Sequence, residues 1–161
     1  MSALRFLMLL SLAVWIGALV FFPVTAQTAF STLPARHLAG FVVRDCLINL
    51  HLIGMTMGAI FLASSLSYNL VLRGRAATFS LAHVFVATMI VLTAISQFEI
   101  IPRMDLLRAS AVDIGALAAS NPIRAHFDSL HVWSTRIEFL VLALGLLALY
   151  FTSRQLASSR S

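Results

Sequence analysis

Four long apolar stretches, separated by short polar segments, set the plan of this chain. The first is LRFLMLLSLAVWIGALVFFPV, the second LHLIGMTMGAIFLASSLSYNLVL, and the last is FLVLALGLLALYF with a polar run-up. Each is long enough, with its flanks, to cross the apolar layer of a bilayer, which takes about 20 residues as a helix. The pattern predicts helices over about 2–32, 39–72, 78–101 and 122–153, on the spacing and punctuation of apolar and polar positions. No alternation typical of strands and no tandem repeat interrupts it. The expected fold is all-α: a single integral-membrane domain, a four-helix transmembrane bundle over residues 1–161.

Local signals place the boundaries. Pro23 lacks an N–H and crowds the preceding turn, so it should kink the first helix. Pro34 closes that helix in a short loop with Arg36 and His37. Arg73-Gly74-Arg75 reads as a glycine stop between two basic anchors. Pro102 should end the third helix. The segment of about 103–120 then has apolar residues at Met104, Leu107, Ala111, Ile114 and Ala118, the spacing of a weakly amphipathic helix lying at the membrane surface. Asn121 and Pro122 suit the cap and first turn of the fourth helix. Thr152 to Ser161 reads as a frayed polar tail.

Composition agrees. The chain has 161 residues, 60% hydrophobic and only 11% charged, with a formal net charge of +5. A soluble domain of this size rarely carries so little charge. All eleven basic residues are arginine, and they flank the apolar runs. They therefore read as topology and headgroup anchors rather than a nucleic-acid surface. Cys46 is the single cysteine, so a disulfide within the chain is excluded and CxxC chemistry is absent. MSALR, an apolar run and Val24-Thr25-Ala26 have the outline of a signal peptide. The run is long for that role, which favours a retained transmembrane helix.

Four spans put both termini on one side, with Arg5, Arg73, Arg75, Arg154 and Arg160 and no acid. The other side mixes Arg36, Arg44, Arg103, Arg108 and Arg124 with Asp45, Asp105, Asp113 and Asp128. Arginine counts tie. The shorter loops on the terminal side favour both termini in the cytoplasm of a bacterial inner membrane.

This topology collects the unusual polar residues in the outward half: Gln27, Asp45, Asn49, His51, Gln97, Glu99, His131, Arg136 and Glu138. Ionisable groups at membrane depth are costly unless paired or hydrated, so they are candidates for function. On the fourth helix His131, Thr135 and Glu138 share one face at i, i+4 and i+7, with Ser134 beside them. On the second, His51 and Met55 stand at i, i+4. If those faces meet, His51, Met55, His131 and Glu138 line one pocket. Imidazole and thioether ligands suit copper. His51 and His131 could instead hold a haem iron, or the site a quinone-type cofactor. His, Glu and Arg at depth also suit a proton or ion path. The plainest alternative is a packing network that sets helix registry, with Arg136 paired to Asp45 or Glu99 or reaching outward. Gly54 and Gly58 form a GxxxG pair, a surface for close helix approach and a candidate contact for a partner membrane protein. No phosphate loop, nucleophile elbow or HExxH motif is present. The residues therefore lean towards a non-enzymatic protein with an outward-facing polar pocket, with copper handling first. An accessory subunit of a larger complex and a haem- or quinone-associated redox component are the alternatives.

Three short motifs carry a resemblance: Trp15-Ile16-Gly17 with Phe21-Phe22, Ile101-Pro102-Arg103-Met104, and Phe127, His131 and Ser134 in the pattern FxxxHxxS. With them the chain resembles the small four-helix membrane proteins of the "domain of unknown function 4149" group, which are similar to transmembrane protein 205. More distantly it resembles CopD-like membrane proteins. That wider likeness implies copper handling or haem association, although the haem-associated relatives place a histidine in the first helix, where this chain has none.

Overall fold

Helix α1, Ser2–Thr32, runs the length of the first apolar stretch with Pro23 inside it. A bend at residues 33–35 leads into α2, Arg36–Arg73. The computed structural model describes residues 2–73, 80–111 and 113–158. The Gly74 stop, the start of the third helix at Thr78 and the Arg160 anchor lie outside the described residues. Ser80 caps α3, Leu81–Ile95, by accepting from the His83 N–H. A five-residue π-turn, Ser96–Ile100, joins α3 to α4, Ile101–Ala109. A 3-10 turn at Ile114–Ala116 precedes α5, Pro122–Ser158. All regular structure among the described residues is helical, and four helices are long and apolar enough to cross a membrane: Ser2–Thr32, Arg36–Val71, Leu81–Ala109 and Pro122–Leu156. This is a multi-pass membrane architecture.

The third span corrects the expected stop at Pro102. Proline breaks a regular helix because its ring meets the carbonyl four residues back and no N–H remains to bond it. Here the preceding turn is widened: the Ile101 N–H bonds the Ser96 carbonyl, and Pro102 falls in the first turn of α4. A π-turn absorbs one extra residue, so the rod continues to Ala109. The short helix that follows α3 is α4, which extends the third span to Ala109, and the expected surface helix over 103–120 is not formed as one element. The polar tail is also corrected in part: α5 stays helical to Ser158, and Thr152 is fully buried.

The helices pack in a ring. α1 lies against α2 and α5, and α3 lies against the same two, so α2 and α5 face each other across the diagonal. The core holds Leu12, Trp15, Phe61, Val86, Met89, Val141 and Ala148. Phe6, Phe21, Phe98 and Val71 are left uncovered by protein, which is the arrangement expected where lipid replaces water as solvent. Trp15 settles the role of the two glycines. A Cβ on Gly54 would stand 2.3 Å from the Trp15 indole nitrogen, and one on Gly58 2.8 Å from both the same ring and Ile90. The Gly54/Gly58 face is thus filled from within by α1 and α3, and it does not offer the GxxxG surface expected to dock a partner helix.

Candidate functional site

His51 stands on α2 with no exposed surface, so both ring nitrogens need partners inside the protein. Each has one. Nδ1 lies 2.9 Å from Oε1 of Gln97, and Nε2 lies 2.8 Å from Oε1 of Glu138. The π-turn carries Gln97, and α5 carries Glu138. The contact therefore ties the diagonal pair of helices through one imidazole. Oε2 of Glu138 is buried and has no hydrogen-bond partner among the described residues.

This triad can exist in two fully bonded forms. In the first, His51 is an imidazolium. Its Nδ1–H donates to the Gln97 oxygen and its Nε2–H donates to the Glu138 carboxylate. In the second, the proton has left and the imidazole is neutral. Its Nε2–H still donates to Glu138, and the Gln97 amide, turned by half a rotation, donates from its NH2 to Nδ1. Glutamine can serve either ring state because it carries a donor and an acceptor on one planar end. Whichever ring state is present, both nitrogens of His51 keep a partner.

Glu138 also belongs to the wall of a cavity of about 820 Å³ in the half of the bundle away from both chain ends. α1 contributes Leu19, Phe22, Pro23 and Phe30 to it, and α2 contributes Phe41, Arg44 and Leu47. α5 contributes Phe127, His131, Ser134, Thr135, Glu138 and Phe139. Helical rise puts Glu138 about 21 Å along α5 from Arg124, so the carboxyl lies at the inner end and the arginines at the rim. His51 is not part of the wall. It stands behind Glu138.

The rim is held by a second network. Asp105 on α4 accepts from Nε and the terminal nitrogen of Arg44 on α2, and from Arg108 at 3.2 Å. Arg44 reaches Asp45 as well, at 2.7 Å. The Arg108 guanidinium lies over the rings of Phe41 at 5.9 Å and Phe127 at 5.2 Å. Arg124 donates to the Leu117 carbonyl at 2.6 Å and stands 3.7 Å from Asp128. The i, i+3 spacing of Asp105 and Arg108 was visible in the sequence. Their partner Arg44 was not, because it lies 61 residues from Asp105.

The expected site residues are distributed as follows. His51, Gln97 and Glu138 are joined. His131, Ser134 and Thr135 line the cavity with Glu138; Ser134 is buried, and Thr135 donates to the His131 carbonyl. Met55 is half-buried and lies outside the cavity wall. Asn49 is exposed and bonds the Asp45 carbonyl. Glu99 is exposed and pairs with Arg103 at 2.7 Å. Arg136 pairs with neither Asp45 nor Glu99; it lies over the Trp133 ring at 5.4 Å. No group of three or more His, Cys, Asp or Glu side chains among the described residues is disposed to hold a metal ion.

Residues 10–113 match the model of the family described as Domain of unknown function (DUF4149). The chain belongs to that family. The match takes in His51, Gln97 and the rim residues Arg44, Asp105 and Arg108, and it ends before Glu138. It carries no link to CopD-like proteins. No curated protein and no solved structure matches the chain.

Proposed function

We propose that this DUF4149 protein is a non-enzymatic membrane protein that binds a small molecule in its cavity and couples that occupancy to a proton held by His51 and Glu138. The observation that carries this reading is the geometry of Glu138. One oxygen is tied to a fully buried histidine, the other has no hydrogen-bond partner among the described residues, and the side chain lies at the inner end of a cavity. A cavity of this volume falls within the range of small-molecule sites, roughly 300–1,000 Å³. A carboxyl kept at membrane depth is costly unless it has a use or a partner.

Copper or haem held at His51 has less support, because both ring nitrogens are already engaged and a metal would have to displace Gln97 or Glu138. An accessory-subunit role would need a docking face other than Gly54/Gly58. We place the protein in a bacterial inner membrane with both termini cytoplasmic, on loop length and arginine placement. The cavity then faces outward.

Nitrogen NMR of the histidine side chains, on the full chain in lipid nanodiscs, tests the proton-sharing triad. His51, assigned by its loss in His51→Asn, should pass between a doubly and a singly protonated ring as pH changes, and Glu138→Gln should displace that transition. A ring held in one tautomer at every pH where the protein is folded would defeat the reading.

A further inference from the structure

Resting on that reading, we infer that the cavity takes a lipophilic organic cation, which binds against Glu138 in exchange for the Nδ1 proton of His51. The inner end of the cavity is formed by Leu19, Phe139, Leu142, Ser134 and Glu138, and the carboxyl is its one ionisable group among the described residues. Its Oε2 has no hydrogen-bond partner among the described residues. A buried polar atom left unpaired is destabilising, so a ligand that supplies positive charge there gains where an apolar or anionic one does not.

The walls have matching chemistry. Five phenylalanines line the cavity: Phe22, Phe30, Phe41, Phe127 and Phe139. Aromatic faces attract cations, most strongly where water is excluded. Phe41 and Phe127 already receive the Arg108 guanidinium, so these walls bind a cation within the protein itself. Phe22, Phe30 and Phe139 remain for a ligand.

The rim does not argue for an anion. From α2 come Arg36, His37 and Arg44, and from α4 Arg108. α5 adds Arg124, Asp128 and His131, the α4–α5 connection adds Asp113, and α1 adds no ionisable group. Arg44 and Arg108 are held by Asp105, and Arg124 by Asp128 and backbone carbonyls. Arg36 stays exposed at the outermost turn of α2. An entering anion would have to break existing ion pairs.

The exchange balances. Before binding, imidazolium and carboxylate sum to zero charge. The cation enters beside Oε2, one proton leaves Nδ1 of His51 for water, and the Gln97 amide turns to donate to the freed nitrogen. Neutral imidazole, carboxylate and cation again sum to zero. Glu138 keeps its bond to Nε2 throughout.

Tetraphenylphosphonium and tetraphenylborate test this directly, being alike in size and shape and opposite in charge, with no exchangeable proton on either. Calorimetry on the full chain in nanodiscs, run in buffers of different ionisation enthalpy, should show the phosphonium binding with release of about one proton. Its affinity should rise with pH by up to about tenfold per unit, the limit for one proton competing with one cation. His126→Ala, at an exposed position outside the cavity wall, should keep that slope, and Glu138→Gln should abolish binding. Equal or tighter binding of the borate, or phosphonium binding with no proton release, would overturn the inference. Should Glu138→Gln fail to fold, a flat pH dependence in the unaltered protein would overturn it instead. A His51 ring that titrates in a protein that ignores the phosphonium removes the cation while leaving the proton-sharing triad in place. A fixed His51 ring removes the triad itself.

Discussion

His51 and Glu138 stand 87 residues apart in the chain and 2.8 Å apart in the bundle. One sits on α2 and the other on α5, the two helices that face each other across the diagonal. The contact therefore reports on the whole assembly: α2, the π-turn and α5 must all be in place for His51 to find both partners. Removing either side leaves the other buried and short of a partner, which is the expensive outcome for polar groups away from water.

That dependence can be measured as a coupling. Groups in contact within one network typically couple by about 0.5–3 kcal/mol, and hydrogen bonds inside membrane bundles average at the low end of that range. A double-mutant cycle of His51→Asn and Glu138→Gln, read by unfolding in mild detergent, should give a coupling of about 1–2 kcal/mol. The same cycle with His131→Ala, whose side chain is exposed, should give a value near zero. Equal couplings would mean that Glu138 senses general packing and not His51.

Packing around Trp15 yields a second expectation. Gly54→Ala forces a methyl group into the Trp15 indole, and overpacking of a filled core costs about 1–3 kcal/mol. Gly17 lies on the same helix as Trp15 with open space where its Cβ would go. Gly17→Ala should therefore be neutral or stabilising, by up to about 1 kcal/mol from helix propensity. Thermal unfolding of the two variants side by side decides it. An unaffected Gly54→Ala would mean that α1 and α2 can separate there without loss.

The two ion-pair systems on the third span should behave differently. Asp105 accepts from Arg44 and Arg108, one of which is well covered, with 19% of its side chain exposed. Asp105→Asn should cost about 1–2 kcal/mol, since charged hydrogen bonds are lost at both guanidinium groups. Glu99 and Arg103 are 60% and 62% exposed, and Arg103→Ala should change stability by less than about 0.5 kcal/mol. The reverse ranking would contradict the assignment of Asp105 as the post that holds the rim.

Topology has its own test. With Cys46 replaced by alanine, a single cysteine at Ser120 or at Ser153 should react in opposite ways with a membrane-impermeant maleimide on intact cells. Ser120→Cys, on the α4–α5 connection, should label; Ser153→Cys, near the end of α5, should not. Labelling of Ser153→Cys alone would invert the orientation and turn the cavity towards the cytoplasm.

Much of the architecture was legible one residue at a time. A 20-residue apolar run has few fates, so four spans and an all-helical fold follow from hydropathy alone. The half of the bundle away from the chain ends was also legible as the polar half, because charge at membrane depth stands out against an apolar background. Pro102 misled for a local reason: the same ring that ends a regular helix is tolerated just after a π-turn, and nothing in the letters SQFEIIP announces the widened turn.

Sequence by itself determined the number of spans, the lipid-facing apolar surface and the set of ionisable residues from which any site had to be drawn. Only the tertiary structure decided which of them meet. Helical spacing relates residues on one rod, whereas the pairing of His51 with Gln97 and Glu138, and of Arg44 with Asp105, depends on how three rods are rotated and slid against one another. That arrangement is set by contacts such as Trp15 in the Gly54/Gly58 groove, whose energies come from shape and close approach across helices, and no single helix carries that information.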